Sequence, residues 1–109
     1  MTVTSLGQFV VGERPDPLEV TFKDADGVPI DITGLESWFS YQRQDDPPVV
    51  VAAAIADGPG GVLRHTWTDF TTAGLYRGEA WVGTSAGVKR ASQRYTWRVK
   101  KALLVPTFA

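Results

Sequence analysis

The sequence contains no cysteine, one histidine and one methionine among its 109 residues. Absence of cysteine excludes a disulfide framework, a thiolate nucleophile and a Cys-ligated zinc site. A lone histidine excludes a multi-His metal site within one chain. No apolar run approaches the roughly 20 residues of a membrane-spanning helix. Residues 1–12 lack the charged and apolar regions of a secretory leader, so a soluble, unprocessed chain without membrane contact is expected. Also missing is any long stretch with apolar positions every 3.6 residues, which argues against amphipathic helices.

What is present is globular in character: 43% hydrophobic and 11% aromatic residues, with 11 Gly and 7 Pro. A chain of this size is expected to form one domain over 1–109. It buries about 65% of its unfolded surface, enough for a core without covalent staples. The formal net charge of −1 conceals an uneven distribution. Residues 1–69 carry 11 acidic and 4 basic side chains, net −7, whereas residues 70–109 carry 1 acidic and 7 basic, net +6. Either the fold mixes these charges or it leaves a bipolar surface suited to self-association. An overall acidic balance argues against nucleic acid as a partner.

Period-2 alternation dominates the chain. Residues 18–23 (LEVTFK) alternate apolar and polar without exception, as a strand with one buried face does. Residues 24–29 (DADGVP) supply turn chemistry, with Gly27 suited to positive φ. Residues 37–42 predict an aromatic strand, and 49–55 and 62–67 two more. Residues 68–74 read as a link with room for one helical turn. Strands over 75–82 and 94–100 complete the set, and 8–11 is a candidate first strand. In the strand over 75–82, Tyr76, Gly78, Ala80 and Val82 share one face, and Leu75, Arg77, Glu79 and Trp81 the other. About seven strands separated by Gly, Pro and Asp turns predict an all-β, antiparallel β-sandwich. Residues 1–6 and 101–109 are the candidate tails.

Two passages carry a family pattern. Residues 24–34 (DADGVPIDITG), followed by an aromatic strand, resemble the D-x-x-G-x-P-I-D-L-T-G motif of the N-terminal domain of phage baseplate upper proteins and related small virion proteins. Residues 61–67, then Asp69, then residues 73–80 (AGLYRGEA) resemble that family's strand, D linker and A-G-x-Y-x-x-E signature. The resemblance spans about residues 18–99. It implies an immunoglobulin-like sandwich and a structural role in a tailed-phage virion, at the tail, the head-to-tail neck or connector, or the baseplate. It supplies no catalytic residues and no cofactor. Tyr76, just after Gly74, resembles the tyrosine corner of such sandwiches, where the hydroxyl returns to a backbone group upstream. Tyr76, Gly74, Gly27 and Trp97 are therefore expected to serve the fold.

Reactive constellations are scarce. His65 and several serines have no Gly-x-Ser-x-Gly elbow to assemble around, so no enzyme is expected, and His65 reads as a solvent-facing or hydrogen-bonded strand residue. Asp24, Asp26 and Asp31 could offer oxygens to calcium but lack the spacing of a calcium loop, so a plain turn is expected. Gly58, Gly60 and Gly61 surround Pro59 without the Lys-Ser/Thr of a phosphate loop. Neither a metal, a cofactor nor a small-molecule ligand is expected.

Aromatics are more informative. Trp38 and Phe39 are adjacent, so alternation sends them to opposite faces of a sheet. One large ring therefore lies off the core, fit for a protein interface or a sugar platform. Trp81, beside Arg77 and Glu79, is the leading outward candidate. Residues 101–109 form an apolar C-terminal arm, which packs on its own sandwich or on a neighbour. The expected contact residues are Arg77, Trp81, Arg98, Lys100, Leu103, Leu104 and Phe108, with residues 1–11 as a further docking segment. The expected partners are other phage structural proteins and further copies of the chain, as a homo-oligomer or ring, in virions assembled in the host cytoplasm. A capsid decoration protein and a carbohydrate-binding adsorption module are the alternatives.

Overall fold

The structure, a computed structural model, describes residues 3–87 and 89–101. It is all-β. Nine strands occur among the described residues: β1 (Val3–Val10), β2 (Leu18–Thr21), β3 (Glu36–Arg43), β4 (Val49–Ala52), β5 (Ala54–Asp57), β6 (Val62–His65), β7 (Gly74–Gly83), β8 (Lys89–Ala91) and β9 (Arg94–Lys100). The large sheet has the order β1-β9-β7-β3-β4, with β8 also on β7, and the small sheet has the order β2-β6-β5. Their inner faces enclose one core containing Val20, Phe22, Leu63 and Trp67 from the small-sheet side and Phe39, Ala80, Val82, Tyr95, Trp97 and Val99 from the large. The expected sandwich is therefore present.

Three expectations change. Residues 49–55 do not form one strand: β4 pairs with β3 in the large sheet, and after Ala53 the chain continues as β5 in the small sheet. Ala53 is fixed at the crossing, where its amide donates to the Ser37 carbonyl at 3.1 Å and its carbonyl accepts from Ser37 Oγ at 2.8 Å. A strand that changes sheets makes a corner of the sandwich, and its apolar, Ala-rich run hides the break. Second, the N-terminal segment is no free tail from Val3 onward. β1 pairs with β9, and in parallel, the exception in an otherwise antiparallel large sheet. Its ladder shifts register between Ser5 and Gln8, around Gly7. Third, with that split, the unexpected β8 brings the described strands to nine, and residues 66–73 hold no helical turn.

Local chemistry explains the turns that hold the sheets in place. Asp24 Oδ1 accepts from the amides of Asp26 and Val28 at 2.9 and 3.0 Å, and Gly27 takes φ of 80°. Gly61 is more constrained: its φ is 72°, and a Cβ there would lie 2.6 Å from the Ile30 carbonyl oxygen and 2.7 Å from that of Phe22. Only glycine meets both demands cheaply. At the other end, Tyr76 donates its hydroxyl to the Thr72 carbonyl at 2.6 Å and stacks on Trp97 with ring centroids 5.5 Å apart. This is the expected tyrosine corner, and burial raises the Tyr76 phenol above its ordinary pKa. Gly74 opens β7 against the Arg43 side chain, whose Nε donates to the Ala73 carbonyl at 2.7 Å.

Candidate functional site

Alternation along β3, β7 and β9 decides what reaches the outer face of the large sheet. Phe39, Ala80 and Val82 are buried inside, so Trp38, Glu79 and Trp81 point out. Trp38 and Trp81 are direct cross-strand partners. Ala52 flanks Trp38 on β4 and Ala91 flanks Trp81 on β8. These small neighbours leave both indoles partly exposed. With Ser40, Val50 and Glu79 they line an open depression of about 560 Å³. Val50, 64% exposed, adds an apolar group beside the two indoles.

Towards the Gly74 end of β7 the same face turns basic. Arg77 lies opposite Gln42, and its Nε and Nη2 donate to Gln42 Oε1 at 3.1 and 2.7 Å. That fork holds the guanidinium in place and leaves further donors for another group. On β9, Arg98 and Lys100 are exposed and alternate with buried Trp97 and Val99. Neither enters an ion pair among the described residues. Ser5, Gln8, Leu75, Arg77 and Arg98 border a second depression of about 760 Å³. Arg77, Arg98 and Lys100 of the late, basic part thus share this face because β7 and β9 are neighbours in one sheet, whereas Arg90 of β8 lies opposite inward-facing Val82 and borders Val20 and Lys23.

Four of the seven expected contact residues, Arg77, Trp81, Arg98 and Lys100, therefore share one face. Leu103, Leu104 and Phe108, in the arm over 101–109, lie outside the described residues. Sequence reasoning selects Trp81 and leaves Trp38 unassigned, although the adjacent Trp38 and Phe39 already require one ring to turn outward. Leu75 is exposed as its alternation with Arg77, Glu79 and Trp81 requires, whereas Val50 carries no such signal, since it lies in a run that is apolar throughout.

The remaining candidates resolve into structural roles. His65 is neither solvent-facing nor fully hydrogen-bonded: it is 6% exposed, stacks on Phe39 at 4.2 Å between centroids, meets Trp67 edge-on at 4.6 Å, and leaves Nδ1 without a partner. Burial lowers its pKa to about 4, so the imidazole is neutral at pH 7. Asp24 and Asp31 spend oxygens on backbone amides of their own turns. No group of three or more His, Asp or Glu among the described residues is placed to hold a metal. Neither a family model nor a curated protein matches this chain.

Proposed function

We propose that the chain is a non-enzymatic structural component of a tailed-phage particle and that it works through the outer face of its large sheet. The observation that carries this reading is the gathering of Trp38, Trp81, Val50, Arg77, Arg98 and Lys100 on that face. Trp and Arg reaching solvent on one face are the chemistry of protein contacts, where such residues dominate binding energy. The virion assignment is supported by the motifs in residues 24–34 and 61–80. Strand order supports an immunoglobulin-like reading of the sandwich. β9-β7-β3-β4 against β2-β6-β5 follows the G-F-C-C′ and B-E-D arrangement of such domains, with the tyrosine corner at the start of the sixth of those strands.

Quantitative mass spectrometry of purified particles tests the reading. The chain is expected in fixed stoichiometry, ring-sized for a neck, tail or baseplate part and lattice-sized for capsid decoration. Trp81→Ala with Arg77→Ala is expected to fold and to lose incorporation, and normal incorporation of that variant would sink the proposal. Truncation after Lys101 tests the arm separately. A sugar platform is the second reading, favoured by the paired indoles of Trp38 and Trp81. Besides the indole N–H groups, only Ser40 and Glu79 supply polar side chains in that depression, so glycan-array binding abolished by Trp81→Ala is the result needed to prefer it.

A further inference from the structure

The two sheets do not end together. β6 stops at His65, which stacks on Phe39, while β3, β7 and β9 run on and carry Tyr41, Tyr76 and Trp97 past that level on the inner face. Residues 66–71 cover the overhang without regular structure, turning Trp67 and Phe70 inward and leaving Thr68, Asp69 and Thr71 exposed. Two backbone bonds tie this roof to the N-terminal segment: Gly12 donates to the Phe70 carbonyl at 2.7 Å, and Phe70 donates to that of Glu13 at 3.0 Å. Beneath it lies a cavity of about 230 Å³, walled by Tyr41, His65, Trp67, Phe70, Tyr76 and Trp97. We propose that this cavity binds a small neutral aromatic molecule that carries a hydrogen-bond acceptor and is about the size of phenol. The cavity is separate from the outer face of the large sheet, so the proposal does not depend on the assembly reading.

Size, wall chemistry and charge point to the same class of guest. A dry cavity of about 150 Å³ is enough for benzene, so the space here admits a ring with one substituent. Rings make most of the wall: Trp67 meets Trp97 edge-on at 5.2 Å between centroids, lies 5.7 Å from Phe70, and Tyr76 stacks on Trp97. A planar guest finds both faces and edges to pack against. The charged residue of the wall, Asp69, is held by Arg14 at 2.7 Å, and burial keeps the His65 imidazole neutral. An ionised guest would leave water without gaining a counter-charge.

Unpaired nitrogens set the polarity of the guest. Among the described residues three buried side-chain polar atoms lack a partner, and two of them, His65 Nδ1 and Trp97 Nε1, belong to residues of this wall. An indole N–H can only donate, so a guest that reaches it must accept. Neither nitrogen has appreciable surface open to water. The guest therefore reaches them by shifting a ring, a side-chain adjustment common on binding. A buried donor without a partner is costly, and the new bond relieves that cost. No small-molecule ligand is expected from the sequence, because these rings come from four separated stretches and meet only in the fold.

Nitrogen-15 NMR of the indole N–H groups tests the proposal on the full chain, which has four tryptophans. Trp38→Phe and Trp81→Phe assign the two outer-face signals, leaving those of Trp67 and Trp97. Phenol is expected to shift the inner pair saturably, with a Kd of about 1 mM, a strength open to so few atoms, and to leave the outer pair in place. Benzene lacks the acceptor and is expected to bind about five- to tenfold more weakly. Benzylamine, a cation at pH 7, is expected neither to shift the inner pair nor to compete with phenol. Val51→Phe fills the cavity from β4 and is expected to weaken phenol binding about tenfold or more, with the dispersion of the remaining signals confirming its fold. An inner pair that phenol leaves unmoved, or shifts of all four indoles without saturation, would overturn the site. Benzene or benzylamine binding as tightly as phenol would overturn the ligand class. These comparisons use the unaltered cavity, so they decide the matter even where Val51→Phe does not fold.

Discussion

The outer faces of the two sheets arise from the same alternation and differ in what they leave open. On the small sheet, Glu19 of β2 lies directly opposite Arg64 of β6, and Arg64 Nη2 reaches Glu19 Oε2 at 2.7 Å. Ala54 of β5 is the next side chain in that row. Charge is closed locally and no large apolar group stands out. On the large sheet two indoles, Val50 and Leu75 reach solvent, and Arg98 and Lys100 enter no ion pair among the described residues. A face whose groups satisfy one another has little to gain from a partner. A face with exposed rings and open cations does, and that contrast locates the proposed contact surface.

The contrast exists only while the core holds the sheets together, so the strongest way to break it is from inside. Leu63 on β6 is fully buried, and its neighbour Arg64 is exposed. Leu63→Ala is expected to cost about 2–5 kcal/mol, the range for a large-to-small change in a packed core. Arg64→Ala is expected to cost under about 1 kcal/mol. Urea denaturation of the two variants measures the difference. Equal losses would mean that the small sheet does not contribute to the core as its burial implies.

Acid acts on the same element. His65 has an ordinary value of 6.5 and a folded value of about 4, lowered by burial between Phe39 and Trp67. The unfolded chain therefore takes up the proton first. Stability is complete above about pH 6.5 and is lost as pH falls towards 4, by about 3 kcal/mol in total. Asp31, whose carboxyl is held below its ordinary 3.8 by hydrogen bonds from Thr33, contributes its loss only at lower pH. Urea midpoints measured between pH 7 and 4.5 are expected to fall for the native chain and to stay nearly level for His65→Phe. A parallel fall in both proteins would remove His65 as the cause.

How legible was this in the sequence? Strand character was, wherever one face is buried and the other wet: the alternations in 75–82 and 94–100 survive residue by residue in β7 and β9. Tyr76 was legible too, because a corner is a local device. The crossing at Ala53 was not, since residues 49–55 are apolar throughout and a change of sheet is a tertiary event. Of β1 only the end was, as the candidate strand over 8–11; its start and its parallel ladder depend on a partner some 90 residues away and on the register shift between Ser5 and Gln8. For the site, period 2 places Trp81, Arg77, Arg98 and Lys100 outward on their own strands. Only sheet order shows that these strands are neighbours and that Trp38 lies beside Trp81.

Turn geometry offers a smaller lever on the same contrast. Gly61→Ala adds a Cβ against two carbonyl oxygens at positive φ, and a cost of about 1–3 kcal/mol is expected. The turn between β5 and β6 anchors the small sheet, since Gly61 accepts from the Phe22 amide at 2.8 Å and Gly58 accepts from that of Ile32 at 2.9 Å. Hydrogen exchange is therefore expected to accelerate first in β5 and β6, with β3 and β7 following only at global unfolding. Uniform acceleration across both sheets would show that they open as one unit.

The smallest effects compare the two outer faces directly. Double-mutant cycles on Trp38 with Trp81, and on Glu19 with Arg64, are expected to give couplings of about 0.2–1 kcal/mol each in dilute protein, because both pairs are cross-strand neighbours exposed to water. Salt separates them. At about 1 M ionic strength the screening length is about 3 Å, so the Glu19–Arg64 coupling should fall by about half or more. The Trp38–Trp81 pair carries no charge, so its coupling should persist. Persistence of the ionic coupling in high salt would mean that the small-sheet pair is held by geometry rather than charge. The two faces would then differ in their exposed rings and open cations, and no longer in the physical origin of their pairings.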